Sequence, residues 1–190
     1  AALVAAIGNQ PTATNDVSAT AGVDYIAINN AHALFGDASQ RLIAQVMTGA
    51  MYHKLIGKNL TNAEKLFTFS GVQVVDILGK AVIITDAAAL YEAGTPNKQK
   101  VLSLADGAAM VMDGSDLITN IQTSNGKERI ETTMQADYTF GMGLKGYTWD
   151  TANGGKSPTS AELATGTNWD LVANSIKASA GVITIGDATK

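Results

Sequence analysis

A regular alternation of apolar and polar residues extends from Ile130 to Leu144 and is the longest ordered pattern in the chain. A period of two predicts a β-strand whose two faces differ in polarity. The pair Asn125-Gly126 favours a type I′ hairpin turn before it, and Ile118 to Ser124 alternate in the same way. Strands usually have about five or six residues, and this one is much longer. We therefore predict a half-buried ribbon that serves as a spine or contact surface. Its apolar face would contain Ile130, Thr132, Met134, Ala136, Tyr138, Phe140, Met142 and Leu144, opposite Glu131, Thr133, Gln135, Asp137 and Thr139.

Apolar side chains spaced three and four residues apart predict a helix from Ala38 to Gly57, the strongest helical pattern in the chain. Lys54 and Lys58 near its end suit the negative end of a helix dipole. The apolar stripe of this helix would consist of Leu42, Ile43, Val46, Met47, Ala50, Met51 and Leu55.

A shorter helix is predicted just before it, capped by Asn29 or Asn30 and ending at Phe35. Gly36 would follow in the left-handed conformation that glycine adopts after a helix. Asp37 would then cap the long helix, so that the two helices meet at a corner.

Short apolar runs in the middle of the chain predict strands of one sheet. A helix is predicted from Ala105 to Met112, because Asp106 can cap it and alanine and methionine favour helices. Residues 8–24 have no helical period and predict a loop, as do Asn153-Gly154-Gly155. The predicted strands are Val72–Leu78, Lys80–Thr85, Val101–Leu104 and, near the end of the chain, Gly181–Gly186.

The segment Pro158-Thr159-Ser160-Ala161-Glu162 predicts a helix that starts with proline at its first position and has a capping box. The segment Trp169 to Ser175 fits a helix or a strand equally well.

Composition excludes several classes of protein. A chain of 190 residues is long enough for one domain with its own core. Charged residues make up only 16%, and 13 basic against 17 acidic side chains give a net charge of −4, which argues against a nucleic-acid reader. The sequence has no cysteine, which excludes disulfides, cysteine nucleophiles and thiolate metal sites. No apolar run approaches the ~18 to 20 residues of a transmembrane helix.

The residues offer no catalytic, cofactor or metal constellation. His32 and His53 have no carboxylate or second histidine at metal-ligand spacing, which indicates structural or surface roles. Asp113 and Asp116 resemble part of a calcium loop, but the terminal glutamate is missing, which indicates a turn. Gly141-Met142-Gly143 lacks the third glycine of a dinucleotide fingerprint.

A neutral surface rich in alanine, threonine and glycine, together with a long ribbon, suits a protein that buries much of its exterior against copies of itself. One alternative is a secreted or tail-associated binding or adhesion module without catalytic activity. Another is an enzyme in whose pocket carboxylates such as Asp86 and Asp106 converge with raised pKa values.

Several motifs follow one another in a recognisable order. They comprise a short helix with a Gly-Asp corner and a long helix, a strand that ends in an acidic turn, a strand that leads into a small Gly-Ala helix, the long strand with its terminal Gly-x-x-Trp, and a closing segment. This order resembles the major capsid protein of tailed bacteriophages, the Hong Kong ninety-seven fold. The positions that match are Gly36, Asp37, Met47, Leu55, Gly79, Asp86, Gly107, Glu131, Gly146, Trp149, Pro158 and Trp169.

The resemblance implies an α+β fold of the phage major-capsid type. Its central mixed sheet, flanked by helices, would form the axial domain, and the long-strand ribbon would be part of the peripheral domain. The N-terminal arm and extended loop of that fold are expected to be absent, so that the chain is a C-terminal portion. The implied divisions are 1–24 (end of the spine helix and connecting loop), 25–127 (axial-domain helices and sheet), 128–150 (long strand of the peripheral domain) and 151–190 (closing segment).

The resemblance also implies a structural coat protein with no enzymatic activity and no cofactor. Its copies would form pentamers and hexamers of an icosahedral shell around double-stranded DNA, bound without sequence specificity. We expect it in the virion, and in the host cytoplasm during assembly, with no membrane contact. Scaffolding, portal and decoration proteins are the further partners that such a shell implies. Contacts at the ring axes are expected from Asp113, Ser115, Asp116 and Asn153.

Overall fold

A computed structural model describes residues 1–63, 80–126 and 128–190 of the chain, with only the backbone described for 59–63. These residues form two compact units. The sheet unit comprises Ala1–Ala108 and Leu144–Lys190, and the ribbon unit comprises Ala109–Gly143. A central mixed sheet accompanied by helices confirms the predicted α+β class. The division into four segments at residues 24, 127 and 150 stays a prediction.

Within the described residues the α-helices are α1 (Ala2–Gly8), α2 (Tyr25–Ala33), α3 (Gly49–Ala63), α4 (Thr151–Gly154) and α5 (Ser160–Leu163). The strands are β1 (Thr14–Asp16), β2 (Leu42–Met47), β3 (Ala81–Ile84), β4 (Tyr91–Glu92), β5 (Lys98–Ala105), β6 (Ala109–Asp113), β7 (Ile118–Asn125), β8 (Ile130–Asp137), β9 (Phe140–Leu144), β10 (Tyr147–Trp149), β11 (Trp169–Leu171) and β12 (Gly181–Asp187). Short 3-10 helices occupy Pro11–Ala13, Gly36–Arg41, Ala88–Leu90, Gly166–Asn168 and Ile176–Ala178. None of the described helices combines the length and the apolar character needed to span a lipid bilayer.

The sheet unit is built on a mixed sheet in the order β1-β12-β5-β2-β3, with β4 also paired to β5. The pairs β1–β12 and β2–β3 are parallel, whereas β5 is antiparallel to β12, β2 and β4. Strand β12 is buried at every position from Gly181 to Asp187. The predicted strands Lys80–Thr85, Val101–Leu104 and Gly181–Gly186 are confirmed. A strand covered on both faces reads as a continuous apolar run, which fits β12 but not β3, whose residues are mostly exposed.

Helices α2 and α3 pack on this sheet and form its core. One cluster joins Met51 and Leu55 of α3 to Ile28 of α2 and Val101 of β5. A second cluster surrounds Phe35, which is fully buried. Burying one such side chain contributes about 1.5–3 kcal/mol, so these clusters are the main source of stability in the sheet unit. Helix α1 lies against β12.

The predicted helix from Ala38 to Gly57 is wrong in its first half. Leu42–Met47 is the strand β2, and the helix begins only at Gly49. The amide of Met51 donates to Thr48 Oγ1 at 3.2 Å, and that of Gly49 donates to Asp86 Oδ1 at 3.0 Å. Apolar residues in adjacent pairs fit either a helical stripe or a strand with two apolar faces. Pairing with the neighbouring strands β5 and β3 makes Leu42–Met47 a strand.

The corner before β2 also differs from the prediction. Helix α2 is capped by Asp24, whose Oδ1 accepts a hydrogen bond from the Ala27 amide at 2.7 Å, and not by Asn29 or Asn30. Gly36 does have the predicted positive φ, at 53°. Asp37 caps no helix, because its carboxylate is paired with Lys177.

Two segments predicted as loops contain regular structure. Residues 8–24 include β1, which pairs with β12 in parallel, a partner too distant in sequence for local patterns to reveal. The segment Asn153-Gly154-Gly155 overlaps α4, which is capped by Asp150 through the amides of Ala152 and Asn153. The ambiguous segment Trp169–Ser175 contains the strand β11.

The helix predicted from Ala105 to Met112 is also wrong. The chain instead turns at Gly107, where φ is +67°, and continues as the strand β6.

The capping box is confirmed: the side chains of Thr159 and Glu162 each accept a hydrogen bond from the other residue's backbone amide at the start of α5. Pro158 precedes this cap and is not the first helical residue. The predicted strand Val72–Leu78 and the motif residue Gly79 lie outside the described residues.

The predicted hairpin is confirmed, but its turn and its length differ. Asn125 pairs with Ile130, and the Gly126 amide donates to the Arg129 carbonyl at 2.9 Å, so the chain reverses after Asn125-Gly126. The single strand predicted from Ile130 to Leu144 is divided into β8 and β9, with a break between Asp137 and Phe140.

Candidate functional site

The ribbon unit has no interior. Of the residues described between 109 and 143, none is buried, and all but Gly126 and Met142 are exposed. The prediction of a half-buried ribbon is therefore wrong for the single chain. A two-stranded hairpin is marginally stable at best in water by itself, so this unit is the candidate interaction surface of the molecule.

The register of β7 and β8 divides their hairpin into two chemically different faces. Directly opposite residues of an antiparallel pair share a face, and the next pair along lies on the other face. Ile121 is opposite Met134, and Gln122 is opposite Thr133. The apolar face consists of Thr119, Ile121, Thr123, Asn125, Ile130, Thr132, Met134 and Ala136. The polar face consists of Ile118, Asn120, Gln122, Ser124, Glu131, Thr133, Gln135 and Asp137.

The two faces differ in charge as well as in apolar content. The apolar face has no ionisable side chain, whereas Glu131 and Asp137 lie on the polar face. Ile121, Met134 and Ile130 are 65%, 68% and 71% exposed. The prediction of which β8 residues share a face is confirmed, because alternation determines it wherever the strand is regular.

Exposed apolar side chains continue outside the β7–β8 hairpin. They are Met110, Val111, Met112, Leu117, Tyr138 and Phe140. Sequence reasoning missed Met110, Val111 and Met112, because it assigned them to a helix that would cover the sheet. A strand could have been inferred here, because large and β-branched apolar residues are adjacent and show no helical period.

A turn in the ribbon unit contains three of the predicted contact residues. Asp116 accepts hydrogen bonds from the Thr139 amide at 2.9 Å and the Thr139 hydroxyl at 2.6 Å, and these bonds lower the pKa of its carboxyl. Asp113 accepts a bond from the Ser115 amide at 3.0 Å, and Ser115 has a φ of 53°. Asn153, the fourth residue, lies in α4 of the sheet unit, bonded to Asp150. The role of these four residues at subunit contacts stays a prediction.

The motif residues of the sheet unit have structural roles. Met47 and Leu55 lie in one core cluster, and Asp86 accepts a bond from the first residue of α3. Gly107 and Gly146 have φ values of 67° and 80°, which favour glycine.

The two tryptophans are paired across β10 and β11. Trp149 is directly opposite Trp169, with ring centroids 4.9 Å apart at 70°. Their indole N–H groups donate to the carbonyls of Gly155 and Leu163 respectively. These hydrogen bonds connect the segment that contains Pro158 to strands β10 and β11.

The titratable groups of the sheet unit are used in structure. His32 is buried and bonded to Ser103 Oγ at 2.9 Å, and its burial, followed by the positive charge of Lys80, lowers the pKa of the imidazole to about 4. Among the described residues no group of histidines and carboxylates could hold a metal ion.

A cavity of about 430 Å³ opens beside the start of α3. Thr48 and Gln99 on its wall are hydrogen-bonded to each other at 2.7 Å. Asp86 also lines it, but Asp106 does not, so the pair of carboxylates that an enzyme would need does not meet there.

Comparison with known proteins gives one family. A family model described as Gp13-like, "Major capsid protein 13-like", matches residues 1–183 of the chain. No curated protein matches it.

Proposed function

Since the chain belongs to the Gp13-like major capsid protein family, we propose that its copies assemble into pentamers and hexamers of an icosahedral shell that encloses double-stranded DNA. The coarser role follows from the family: the protein is a structural component of a bacteriophage virion capsid and associates with copies of itself. The observation that carries the finer proposal is the ribbon unit, in which no described residue is buried.

A closed shell needs contacts that repeat by rotation between different surfaces of each copy. Desolvating a charge at such a contact is costly, and only 16% of the residues in this chain are charged. The ribbon unit supplies exposed apolar side chains, and the sheet unit has a buried core of its own. These two properties support assembly from many weak contacts.

We further propose that the architecture is the Hong Kong ninety-seven type, with the central sheet and helices α2 and α3 as the axial domain. In this proposal Asp113, Ser115, Asp116 and Asn153 contribute to contacts around the ring axes. DNA lies inside the shell without sequence-specific contacts, and assembly occurs in the host cytoplasm. Scaffolding, portal or decoration proteins complete the particle.

Negative-stain electron microscopy of the purified chain, with native mass measurement on the same sample, tests this proposal. We expect closed shells or rings with five- and six-fold symmetry, whose fraction rises with protein concentration because each contact is weak. A chain that remains a monodisperse 19.6 kDa monomer at high concentration would contradict it. That result would favour a binding or adhesion module instead.

A further inference from the structure

One face of the β7–β8 hairpin is both uncharged and exposed. Its apolar face has no charge along the full length of two eight-residue strands. The largest side chains on that face, Ile121, Ile130 and Met134, are each about two-thirds exposed or more. Threonine and asparagine separate these side chains on the same face, and the grouping of exposed apolar side chains on one uncharged face makes it a candidate interaction site.

We propose that the apolar face of the β7–β8 hairpin packs against a second copy of this chain, while the polar face remains in contact with solvent. This inference rests on the proposed function and makes it specific to one face of one hairpin. The occupant is a second copy because a member of a major capsid protein family associates with copies of itself. A neutral face also favours a neutral acceptor, and the sheet unit exposes one at α2. Ile26 of α2 and Leu34, the residue that follows the helix, are 69% and 39% exposed, with no charged residue between them.

The size of the face fits a repeated contact and not an isolated dimer. Eight residues at about 3.4 Å each give a length of about 27 Å, and two strands about 4.8 Å apart give a width of about 10 Å. The resulting area is about a third of the ~800 Å² that each partner contributes to a stable interface. The contact should therefore be weak in solution and become occupied when many copies assemble.

The absence of cysteine from the chain makes a clean test available. Met134→Cys places a thiol on the apolar face, and Thr133→Cys places one on the polar face at the adjacent position of the same strand. Ile121→Cys and Gln122→Cys form a second matched pair on β7, which keeps the test decisive if one variant fails to assemble. The rate of maleimide labelling is measured for each variant in particles assembled from the purified chain alone, and in the dissociated chain.

We expect assembly to slow labelling at positions 134 and 121 by about tenfold or more, and at positions 133 and 122 by less than about twofold. Equal protection of both faces in assembled particles would overturn the inference and leave the shell function standing. Slow labelling at position 134 in the dissociated chain would also overturn it, because the chain's own residues would then cover that face. Selective protection in oligomers that are not shells would support the inference and contradict the shell, and a chain that forms no oligomer would contradict both.

Discussion

Strands β5 and β8 have the same length of eight residues, yet one lies in the sheet unit and is mostly buried, whereas the other lies in the ribbon unit and is exposed at every position. Strand β5 is hydrogen-bonded along both edges, to β12 and to β2, and its Val101 packs against α3. Among the described strands, β8 pairs with β7 alone. The difference shows that a strand's alternation determines which residues share a face, while its neighbours determine whether that face is covered.

This contrast has a consequence for energetics. Burial of apolar side chains stabilises the sheet unit, whereas none of the described residues of the ribbon unit is buried. Substitutions in the two units should therefore affect different measurements: unfolding of the single chain for the sheet unit, and assembly for the ribbon unit.

The largest difference is expected between Phe35→Ala and Met134→Ala. Phe35 is fully buried, so its truncation should lower the free energy of unfolding of the dissociated chain by about 3–5 kcal/mol. Met134 is 68% exposed, so its truncation should change that free energy by less than about 0.5 kcal/mol. Urea unfolding followed by circular dichroism measures both. A loss above about 2 kcal/mol for Met134→Ala would mean that the ribbon is covered within one chain.

A second comparison uses glycines. A Cβ at Gly181 would lie 2.1 Å from the Ser103 carbonyl oxygen, so Gly181→Ala should destabilise the dissociated chain by about 1–3 kcal/mol. A Cβ at Gly141 would meet no atom within 4 Å, so Gly141→Ala should be neutral or stabilise by up to about 1 kcal/mol. Thermal unfolding of both variants checks this pair, and equal destabilisation would contradict it.

The pH dependence of stability should come in part from His32. Because burial holds its pKa at about 4, below its ordinary value of 6.5, the unfolded chain binds the proton more readily. Stability should therefore be unaffected by His32 above pH 6.5 and fall as the pH drops towards 4, with a slope of at most ~1.4 kcal/mol per pH unit. Urea midpoints of the wild type and His32→Gln across this range measure the effect. His53→Gln, which removes an exposed histidine of α3, is the control variant for the loss of a histidine.

The smallest effects concern two aspartates that accept backbone hydrogen bonds. Asp24→Ala removes the cap of α2 and should lower the free energy of unfolding by about 1 kcal/mol. Asp116→Ala removes the bonds to Thr139 in the ribbon unit and should leave global unfolding unchanged. Its effect should be faster hydrogen exchange at the Thr139 amide, measured by NMR. A change in the global unfolding midpoint for Asp116→Ala would contradict the separation between the units.

Sequence reasoning succeeded where the interactions are local. The capping box of Thr159 and Glu162 involves residues three positions apart, and the two faces of β8 follow from the geometry of a single strand. It failed at Leu42–Met47, where the apolar spacing fits a helix as well as a strand. It also failed at β1, which pairs with β12 at the other end of the chain.

For the candidate surface, the sequence predicted which residues share a face but not whether that face is covered. Alternation placed Met134 and Ile130 together and separated them from Glu131 and Asp137. It could not reveal that nothing in the described chain packs on Met134, because an apolar face has the same pattern whether a helix covers it or solvent does.

The sequence by itself determined the hairpin, its two faces and the capping box, because each depends on residue types at short spacing, and the order of its motifs indicated the class of the fold. Only the tertiary structure decided that Leu42–Met47 is a strand, that His32 is buried beside Ser103, and that no described residue of the ribbon unit is buried. Those outcomes depend on which distant segments compete for the same surface, and burial against them outweighs local propensity.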